Sequence, residues 1–440
     1  MSDRRPFLRD ILPAIVLLLL GTIYFRFTDA DVDWTRAWRG GPDWPLADAM
    51  PWRVLYNFGT YPALLAALAA LILLVAGYRS ARFARYRRQC VYLVSLLAVG
   101  PGILTNAILK DHWGRPRPRD VDALGGIHPY ERILDIDPIS PGKSFPCGHA
   151  TMGFFFFAAY FLLRKSHPKW ALASLVVTLI YGFLIGWARI VQGGHFPSDV
   201  LWAAALIWIV AAALARGLRV EQVSFVPADF KPVSWARLAT VVGLVPIMAF
   251  LVLLATPIDE NTTWKPADQS PVPIDLRIKL PLGNTTIGME NHATAGAPLS
   301  IQSRSKGFGL PGGGLKSVWK EQQDAKGTLD IEFKQRISGL QSELTQILDV
   351  NIPAETIQRL HITQETGALR LKLPSVPRSS GASRRWILEL NRGHVVIEPA
   401  GHAWSLKHGD KTIREDAQAT DEVQLLLGPD VDWKISEKSP

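Results

Sequence analysis

The chain contains 440 residues, of which 48% are hydrophobic and 20% are charged, and its formal net charge at pH 7 is +9. This basic excess is compatible with nucleic-acid binding, but no nucleic-acid-binding motif accompanies it, so we expect no nucleic-acid partner. The apolar residues are concentrated before residue 257. Their distribution predicts a membrane domain over residues 1–256 and an extramembrane domain over residues 257–440.

Seven apolar segments approach the roughly 20 residues that cross a hydrocarbon core. The fourth is short, but its run GFFFFAAYFLL is too apolar for a surface helix. The first also resembles a cleavable signal peptide, although no convincing small-residue cleavage site follows it. We therefore expect an all-α integral membrane helical bundle with spans at residues 11–27, 61–78, 90–109, 149–163, 170–187, 198–215 and 238–256.

Basic residues are concentrated in alternate connections between these spans, which is typical of cytoplasmic loops. This alternation predicts a multi-pass protein with a cytoplasmic N-terminus. An odd number of spans then puts the C-terminal domain on the opposite face. The residues concerned are Arg4, Arg5 and Arg9; Arg79, Arg82, Arg85, Arg87 and Arg88; Arg164, Lys165 and Lys169; and Arg216, Arg219, Lys231 and Arg237.

A first basic cluster, KDHWGRPRP at residues 110–118, follows the third span on that opposite face. Lys110 ends the span, and Arg115 and Arg117 lie in a stretch that two prolines stiffen. The planar fork of arginine and the point charge of lysine both suit phosphate oxygens. The cluster therefore indicates an anion site, and a loop that contacts lipid headgroups is the alternative.

A second cluster, FPCGH at residues 145–149, immediately precedes the fourth span and predicts a helix start. Unpaired backbone N–H groups at a helix start bind anions, and Gly148, which follows Cys147, allows a phosphate to approach closely. His149 would lie beside that anion and could donate a proton to a leaving oxygen. A capping or interfacial histidine is the alternative.

A third cluster, ARIVQGGHFPSD at residues 188–199, joins the fifth and sixth spans. His195 and Asp199 are four positions apart and would share a helix face. Asp199 could then accept from one imidazole nitrogen and leave the other free to attack phosphorus. Arg189 would join the phosphate site, and its positive charge disfavours a divalent cation, so we expect neither a metal nor a cofactor.

Together the three clusters resemble the signature of the type 2 phosphatidic acid phosphatase (PAP2) superfamily of membrane lipid phosphatases. That signature is Lys, six residues and Arg-Pro; then Pro-Ser-Gly-His; then Ser-Arg, five residues, His, three residues and Asp. Cys147 and Ala188 replace the two serines, so we expect lowered or altered activity. The matching residues are Lys110, Arg117 and Pro118; Pro146, Gly148 and His149; and Arg189, His195 and Asp199.

The resemblance covers about residues 60–215 and implies a six-helix core with catalysis on the outer face. Together with the one further span and the orientation given by the basic loops, it leads us to expect a bacterial inner-membrane protein whose active site and C-terminal domain are periplasmic. It implies that His195 is the nucleophile of a phosphohistidine intermediate, that Asp199 orients it, and that His149 is the general acid. It also implies a metal-independent reaction. The residues expected to hold the substrate phosphate are Lys110, Arg117, Arg189, Cys147 and Gly148.

The sequences of the first and third clusters resemble those of bacterial lipid A phosphatases. A phosphorylated envelope lipid in the bilayer is therefore the expected substrate. Undecaprenyl diphosphate and phosphatidylglycerol phosphate are alternative substrates. A lipid phosphoryl transferase and an inactive protein that binds lipid phosphates are alternative functions. A transporter is disfavoured, because the spans carry no charged residue near mid-membrane.

Residues 257–440 contain short alternating runs that predict strands, with turns at Gly367, Gly393 and Gly401. We expect a small stacked or sandwiched β-rich domain, with a flexible link at residues 303–314. Its histidines, His361, His394, His402 and His408, fit no metal-ligand spacing. An unknown partner or envelope component is left open as its ligand.

Overall fold

A computed structural model of the protein describes residues 5–40, 44–126, 128–137, 142–222, 224–266, 273–290, 299–323, 328–353, 357–373, 384–398, 403–416, 419 and 421–436. The chain divides into two compact units, Met1–Ala255 and Thr256–Pro440. The first unit is helical and the second consists of β-strands. The predicted fold class is therefore confirmed.

Within the described residues, six helices are long and apolar enough to cross a membrane: Phe7–Phe27, Trp52–Arg79, Arg87–Lys110, Pro168–Val191, Pro197–Gly217 and Trp235–Leu254. The fourth predicted span is the shorter apolar helix Gly148–Leu163. The α-helices of this unit are α1 Arg5–Phe27, α2 Ala30–Arg36, α3 Trp52–Phe58, α4 Tyr61–Arg79, α5 Ala81–Ala84, α6 Arg87–Leu97, α7 Asp111–Trp113, α8 Gly148–Phe154, α9 Phe157–Leu163, α10 Pro168–Val191, α11 Pro197–Gly217 and α12 Trp235–Leu254.

Small side chains bring the helices of the bundle close together. Ala63 and Ala67 of α4 and Ala203 and Ala211 of α11 are all fully buried, and alanine allows helix backbones to approach closely inside a membrane. The phenylalanine side chains of α8 and α9 fill the remaining core. This packing fixes the ends of α8, α10 and α11, where the second and third clusters lie.

The third span changes its helical form before it reaches the first cluster. Residues Ala98–Lys110 form a π-helix that contains Pro101, and the Asn106 amide donates to the Pro101 carbonyl at 2.7 Å. Pro101 has no N–H to donate to an α-helical ladder. The π-helix is rare, and most examples are single turns inside α-helices. Those turns often lie at functional sites. Here the π-helix ends at Lys110, the predicted phosphate ligand.

The second unit stacks parallel strands over an apolar interior. Phe333, Ile278, Ile362, Leu388 and Leu425 lie in register on neighbouring strands, and all are fully buried. Its strands are β1 Thr256–Trp264, β2 Ile274–Leu280, β3 Gly283–Glu290, β4 Ser300–Gly309, β5 Gly314–Gln323, β6 Leu329–Ser338, β7 Gln341–Pro353, β8 Ile357–Lys372, β9 Arg384–Glu398, β10 Trp404–His408, β11 Lys411–Glu415 and β12 Asp421–Ile435. Within the described residues all of these strands belong to one sheet with parallel and antiparallel pairs, so the predicted β-rich domain is confirmed.

Two of the predicted glycine turns are corners inside continuous strands. Gly367 in β8 and Gly393 in β9 pair with each other, and both have φ of 130°. A Cβ atom on Gly393 would lie 1.7 Å from the Gly367 carbonyl oxygen. Only glycine fits this close approach with this backbone conformation. Gly401, the third predicted turn, lies outside the described residues.

The expectation of a flexible link at residues 303–314 is wrong. Ser303 and Ser305 belong to β4, which pairs with β1 on one side and β7 on the other, and both serines are buried. The Gln335 amide donates to the Ser303 hydroxyl at 3.1 Å inside the unit. The polar and glycine-rich composition therefore reflects an internal hydrogen-bond network and one tight turn near Gly312.

Candidate active site

Backbone contacts bring the three clusters together at one end of the bundle. The N–H of Arg119, the residue directly after the first cluster, donates to the Gly193 carbonyl at 3.1 Å, which joins the end of the first cluster to the third. The Cys147 N–H donates to the Asp199 carbonyl at 3.2 Å, which joins the second cluster to the third. A Cβ atom on Gly148 would lie 3.9 Å from Lys110 Nζ. Residues from four helix ends therefore form one site.

His195 lies at the centre of this site and is only 1% exposed. Its Nδ1 atom is 2.5 Å from the Ser144 carbonyl oxygen and 3.6 Å from Asp199 Oδ2. A carbonyl oxygen can only accept a hydrogen bond, so Nδ1 carries the proton and Nε2 carries a lone pair. The predicted partner of the imidazole was Asp199, but the Ser144 carbonyl makes the shorter contact.

The electrostatic surroundings keep this imidazole neutral. Burial lowers the pKa of His195 to about 4, and the positive charges of Arg189 and Lys110 act in the same direction. Asp199 opposes the shift. At neutral pH the unprotonated Nε2 of His195 is therefore available as a nucleophile.

Asp199 is held from several directions and is fully buried. Its Oδ1 accepts from Arg115 Nη1 at 2.7 Å. Its Oδ2 accepts from the Ser144 hydroxyl at 2.6 Å and from the Phe196 N–H at 2.8 Å. A carboxylate with this many donors has a fixed orientation beside the imidazole.

The Arg115 guanidinium binds Asp199, and its N–H groups are not available to an anion. Guanidinium has five N–H donors, and in Arg115 the protein supplies an acceptor for each of them. Burial favours the neutral form of Arg115, but Asp199 and Asp31 outweigh it and raise its pKa. The acceptors are the Glu131 carbonyl, Ser198 Oγ, Asp199 Oδ1, Asp31 Oδ2 and Tyr130 Oη.

Of the other predicted cations, Arg189 and Lys110 lie near enough to the imidazole to act on its pKa. Arg117 and Arg189 are buried and Lys110 is half-buried. The pKa of Arg119 is lowered to about 10 by burial and then by the positive charge of Arg117, with a further contribution from Arg189. These guanidinium groups are therefore close enough to repel one another, and a bound anion would relieve that repulsion.

Tyr56 connects the predicted general acid to one of these cations. Its ring stacks on the His149 imidazole with a centroid distance of 5.2 Å. The Arg189 guanidinium carbon lies 4.4 Å from the centroid of the same ring, and Arg189 Nη1 donates to Gln192 Oε1 at 2.7 Å. Tyr56 thus holds His149 and Arg189 near each other.

Cys147 replaces the expected serine at the start of α8 and is fully buried. Burial raises the pKa of its thiol to about 12. The thiol therefore stays protonated at neutral pH, and the nucleophilic thiolate form is not populated.

The described residues contain no group of three or more His, Cys, Asp and Glu side chains that could hold a metal ion. His195 and Asp199 have a spacing that also occurs in zinc sites, and both oxygens of Asp199 accept hydrogen bonds from Arg115, Ser144 and Phe196. His402, one of the histidines of the β-rich unit, lies outside the described residues.

The segment that contains this site matches a known protein family. Residues 88–221 match the family model of the PAP2 superfamily. The predicted resemblance is confirmed over this segment, which contains all eight predicted site residues.

Two curated relatives carry lipid A in their names. Over 137 residues the chain is 35% identical to the lipid A 4'-phosphatase of Francisella tularensis subsp. novicida (strain U112), covering 30% of this chain and 61% of that protein. Over 150 residues it is 31% identical to the lipid A 1-phosphatase of Rhizobium johnstonii (strain DSM 114642 / LMG 32736 / 3841), covering 31% of this chain and 57% of that protein. The chain thus matches less than two thirds of either relative.

A crystal structure of a transmembrane PAP2 type phosphatidylglycerolphosphate phosphatase from Bacillus subtilis is similar to 47% of this chain and 95% of its own chain. The TM-score is 0.30 and the sequence identity is 19%.

Sequence reasoning missed Asp31, Tyr56 and the Ser144 carbonyl. Asp31 and Tyr56 precede the segment that matches the family model, and the Asp31 carboxylate has the same local surroundings in sequence as Asp29 and Asp33. A backbone carbonyl has no sequence signature at all. The acidic character of the link between the first two spans was the sequence signal available for Asp31.

The protonation state of His195 gives a direct test of this geometry. We expect the Nδ1-protonated neutral tautomer at pH 6.5 and a titration near pH 4, because burial and two neighbouring cations lower the pKa. Nitrogen-15 NMR of histidine-labelled protein measures both, and His195→Gln assigns the signal. A titration between pH 6 and pH 7, or a proton on Nε2, would contradict the arrangement.

Proposed function

We propose that the protein is a metal-independent membrane lipid phosphatase that removes a phosphate from an envelope lipid such as lipid A. One observation carries the proposal: His195 Nδ1 is anchored on the Ser144 carbonyl, so the lone pair of Nε2 is free in a site bordered by cations. The match of residues 88–221 to the PAP2 superfamily supports the same reaction class.

In the proposed first step, Lys110, Arg117 and Arg189 hold the substrate phosphate with its phosphorus facing His195. The bond from Nε2 to phosphorus forms as the bond from phosphorus to the lipid oxygen breaks. His149 gives its proton to that leaving oxygen. Asp199 and the Ser144 carbonyl stabilise the positive charge that develops on the imidazole.

In the proposed second step, water attacks the phosphohistidine. His149, now neutral, accepts a proton from the water as the new oxygen–phosphorus bond forms and the bond from phosphorus to Nε2 breaks. Inorganic phosphate leaves, and His195 returns to its neutral form. The backbone at Cys147 and Gly148 lines the phosphate site, and the absence of a side chain on Gly148 leaves room beside Lys110.

The names of two relatives support the choice of substrate, because both act on lipid A by name, at the 4' and the 1 position. We infer that this chain takes the same class of lipid, with water as the acceptor. The experiment below distinguishes this reaction from two alternative substrates, undecaprenyl diphosphate and phosphatidylglycerol phosphate. It also distinguishes hydrolysis from transfer of the phosphate to a second lipid.

The proposed location is the bacterial inner membrane, with a cytoplasmic N-terminus and with the site and the β-rich unit in the periplasm. The basic residues of alternate connections support this orientation. Arg164 and Lys165 of one such connection form ion pairs with Glu221 of another, so the two connections lie on the same face.

Phosphate release from purified lipids tests the proposed reaction. With chelator present, wild type should release phosphate from lipid A, and His195→Ala should release none, because no nucleophile remains. His149→Ala should be slower by about 10²- to 10⁴-fold through loss of general acid catalysis. His167→Ala, which changes an exposed histidine on a loop, is the matched control and should keep wild-type activity.

The panel includes undecaprenyl diphosphate and phosphatidylglycerol phosphate, and the lipid products are separated as well as the free phosphate. A phosphorylated second lipid without free phosphate would indicate a transferase. Equal release by His195→Ala and wild type, or loss of release on chelation, would contradict the proposed mechanism.

Thiol labelling tests the proposed orientation. Lys411→Cys places a thiol on exposed strand β11, and Ser166→Cys places one in an exposed basic connection. The native Cys90 and Cys147 are buried. A membrane-impermeant maleimide should reach the periplasm and label Lys411→Cys in cells with a permeable outer membrane, and should label Ser166→Cys only after lysis. The reverse pattern would contradict the orientation.

A further inference from the structure

We propose that Asp31 is a positioning residue for the His195 nucleophile and acts through Arg115 and Asp199. Asp31 lies on α2, between the first two spans and outside the segment that matches the family model. The inference rests on the proposed phosphatase reaction. It assigns a role in that reaction to a part of the chain that the family signature does not include.

A continuous set of buried contacts connects Asp31 to the imidazole. Asp31 Oδ2 accepts from Arg115 Nη2 at 2.8 Å, and Arg115 Nη1 donates to Asp199 Oδ1 at 2.7 Å. Asp199 Oδ2 lies 3.6 Å from His195 Nδ1. The side chains of Asp31, Arg115 and Asp199 are all 0% exposed, so water does not screen the charges along this path.

A second connection runs through Ser198, the residue before Asp199. The Ser198 N–H donates to Asp31 Oδ1 at 2.9 Å, and its hydroxyl donates to Asp31 Oδ2 at 2.6 Å. The Ser198 hydroxyl also accepts from Arg115 Nη1 at 2.8 Å. Asp31 therefore fixes the first turn of α11, which carries Asp199, as well as the guanidinium that holds it.

Burial raises the pKa of Asp31, and the charge of Arg115 and the hydrogen bonds from Ser198 and Arg115 act in the opposite direction. The Arg115 guanidinium, the Ser198 N–H and the Ser198 hydroxyl all donate hydrogen bonds to its carboxylate oxygens. One guanidinium is thus shared by two carboxylates. If Asp31 lost its charge, Arg115 would act on Asp199 alone and would weaken the negative potential of Asp199 at the imidazole.

This weakening has a specific consequence for the reaction. The imidazole becomes positively charged when Nε2 bonds to phosphorus, and Asp199 stabilises that charge. The substrate phosphate is bound by other residues, Lys110, Arg117 and Arg189. Loss of the Asp31 charge should therefore slow phosphoryl transfer to His195 and leave binding of the lipid nearly unchanged.

The test compares Asp31→Asn with Asp33→Asn on lipid A. Asp33 is on the same helix but is exposed and paired with Arg36. We expect kcat of Asp31→Asn to fall by about ten- to a hundredfold, the usual cost of disturbing a residue behind a catalytic group, with KM within about threefold of wild type. Asp33→Asn should keep wild-type kcat and KM.

A double-mutant cycle separates positioning from mere stability. In the Arg115→Gln background, Asp31→Asn should have no further effect on kcat, because the path to Asp199 is already broken. If Asp31 only docks α2, its substitution should lower the folded fraction and the total activity by the same factor in both backgrounds. Thermal unfolding of each variant gives the folded fraction.

Several outcomes would overturn the assignment. A wild-type kcat in folded Asp31→Asn would overturn the role of Asp31 but not the proposed reaction. The same would follow if Asp31→Asn lowered kcat by the same factor in the wild-type and Arg115→Gln backgrounds. Absence of turnover in wild type and in Asp33→Asn would overturn the proposed reaction and this assignment with it. If Asp31→Asn does not fold, Ser198→Ala, which removes the hydroxyl between Asp31 and Arg115, takes its place, and wild-type kcat there would overturn the assignment.

Discussion

The buried guanidinium of Arg115 holds the site together. It joins α2 through Asp31, the loop that follows α7 through the Glu131 carbonyl, and α11 through Ser198 and Asp199. A buried charge is stable only when its donors are satisfied and opposite charges compensate it. All five N–H groups of Arg115 have an acceptor, so the position of this side chain determines where Asp199 and then His195 lie.

Charge is separated across the His195 imidazole. On the side of Nδ1 lie the Ser144 carbonyl, Asp199 and, behind them, Arg115 and Asp31. The cations of the proposed phosphate site lie close enough to lower the pKa of the imidazole. The anchored Nδ1 leaves the lone pair of Nε2 available for the proposed attack on phosphorus, and the cations that would bind a phosphate dianion are already in place. Such preorganised charge is usually the largest contribution to catalysis.

Short-range patterns made most of the site predictable. The helical spans follow from apolar run length, and the motifs around Lys110, His149 and His195 each lie within about a dozen residues of sequence. The site depends equally on contacts between distant segments. Arg115 was interpreted as part of the anion site because it has the same sequence surroundings as Arg117, yet the fold directs it to Asp31 and Asp199.

In the β-rich unit, too, contacts between distant segments could not be predicted from local sequence patterns. Alternating apolar residues predicted its strands, whereas the course of each strand depends on neighbours that are distant in sequence. Gly367 and Gly393 are corners because they stack on each other, and residues 303–309 form a strand because Gln335 and the partner strands engage them. The π-helix before Lys110 likewise has no sequence period of its own.

The central claim is that His195 Nε2 is the atom that bonds to phosphorus. Orthovanadate adopts the geometry of a phosphoryl group in transfer, and a structure of the full chain with vanadate in a lipid nanodisc would show which atom it bonds. We expect a bond from vanadium to His195 Nε2, with Arg117 and Arg189 on the vanadate oxygens. Vanadate bonded to another side chain, or bound away from His195, would contradict it.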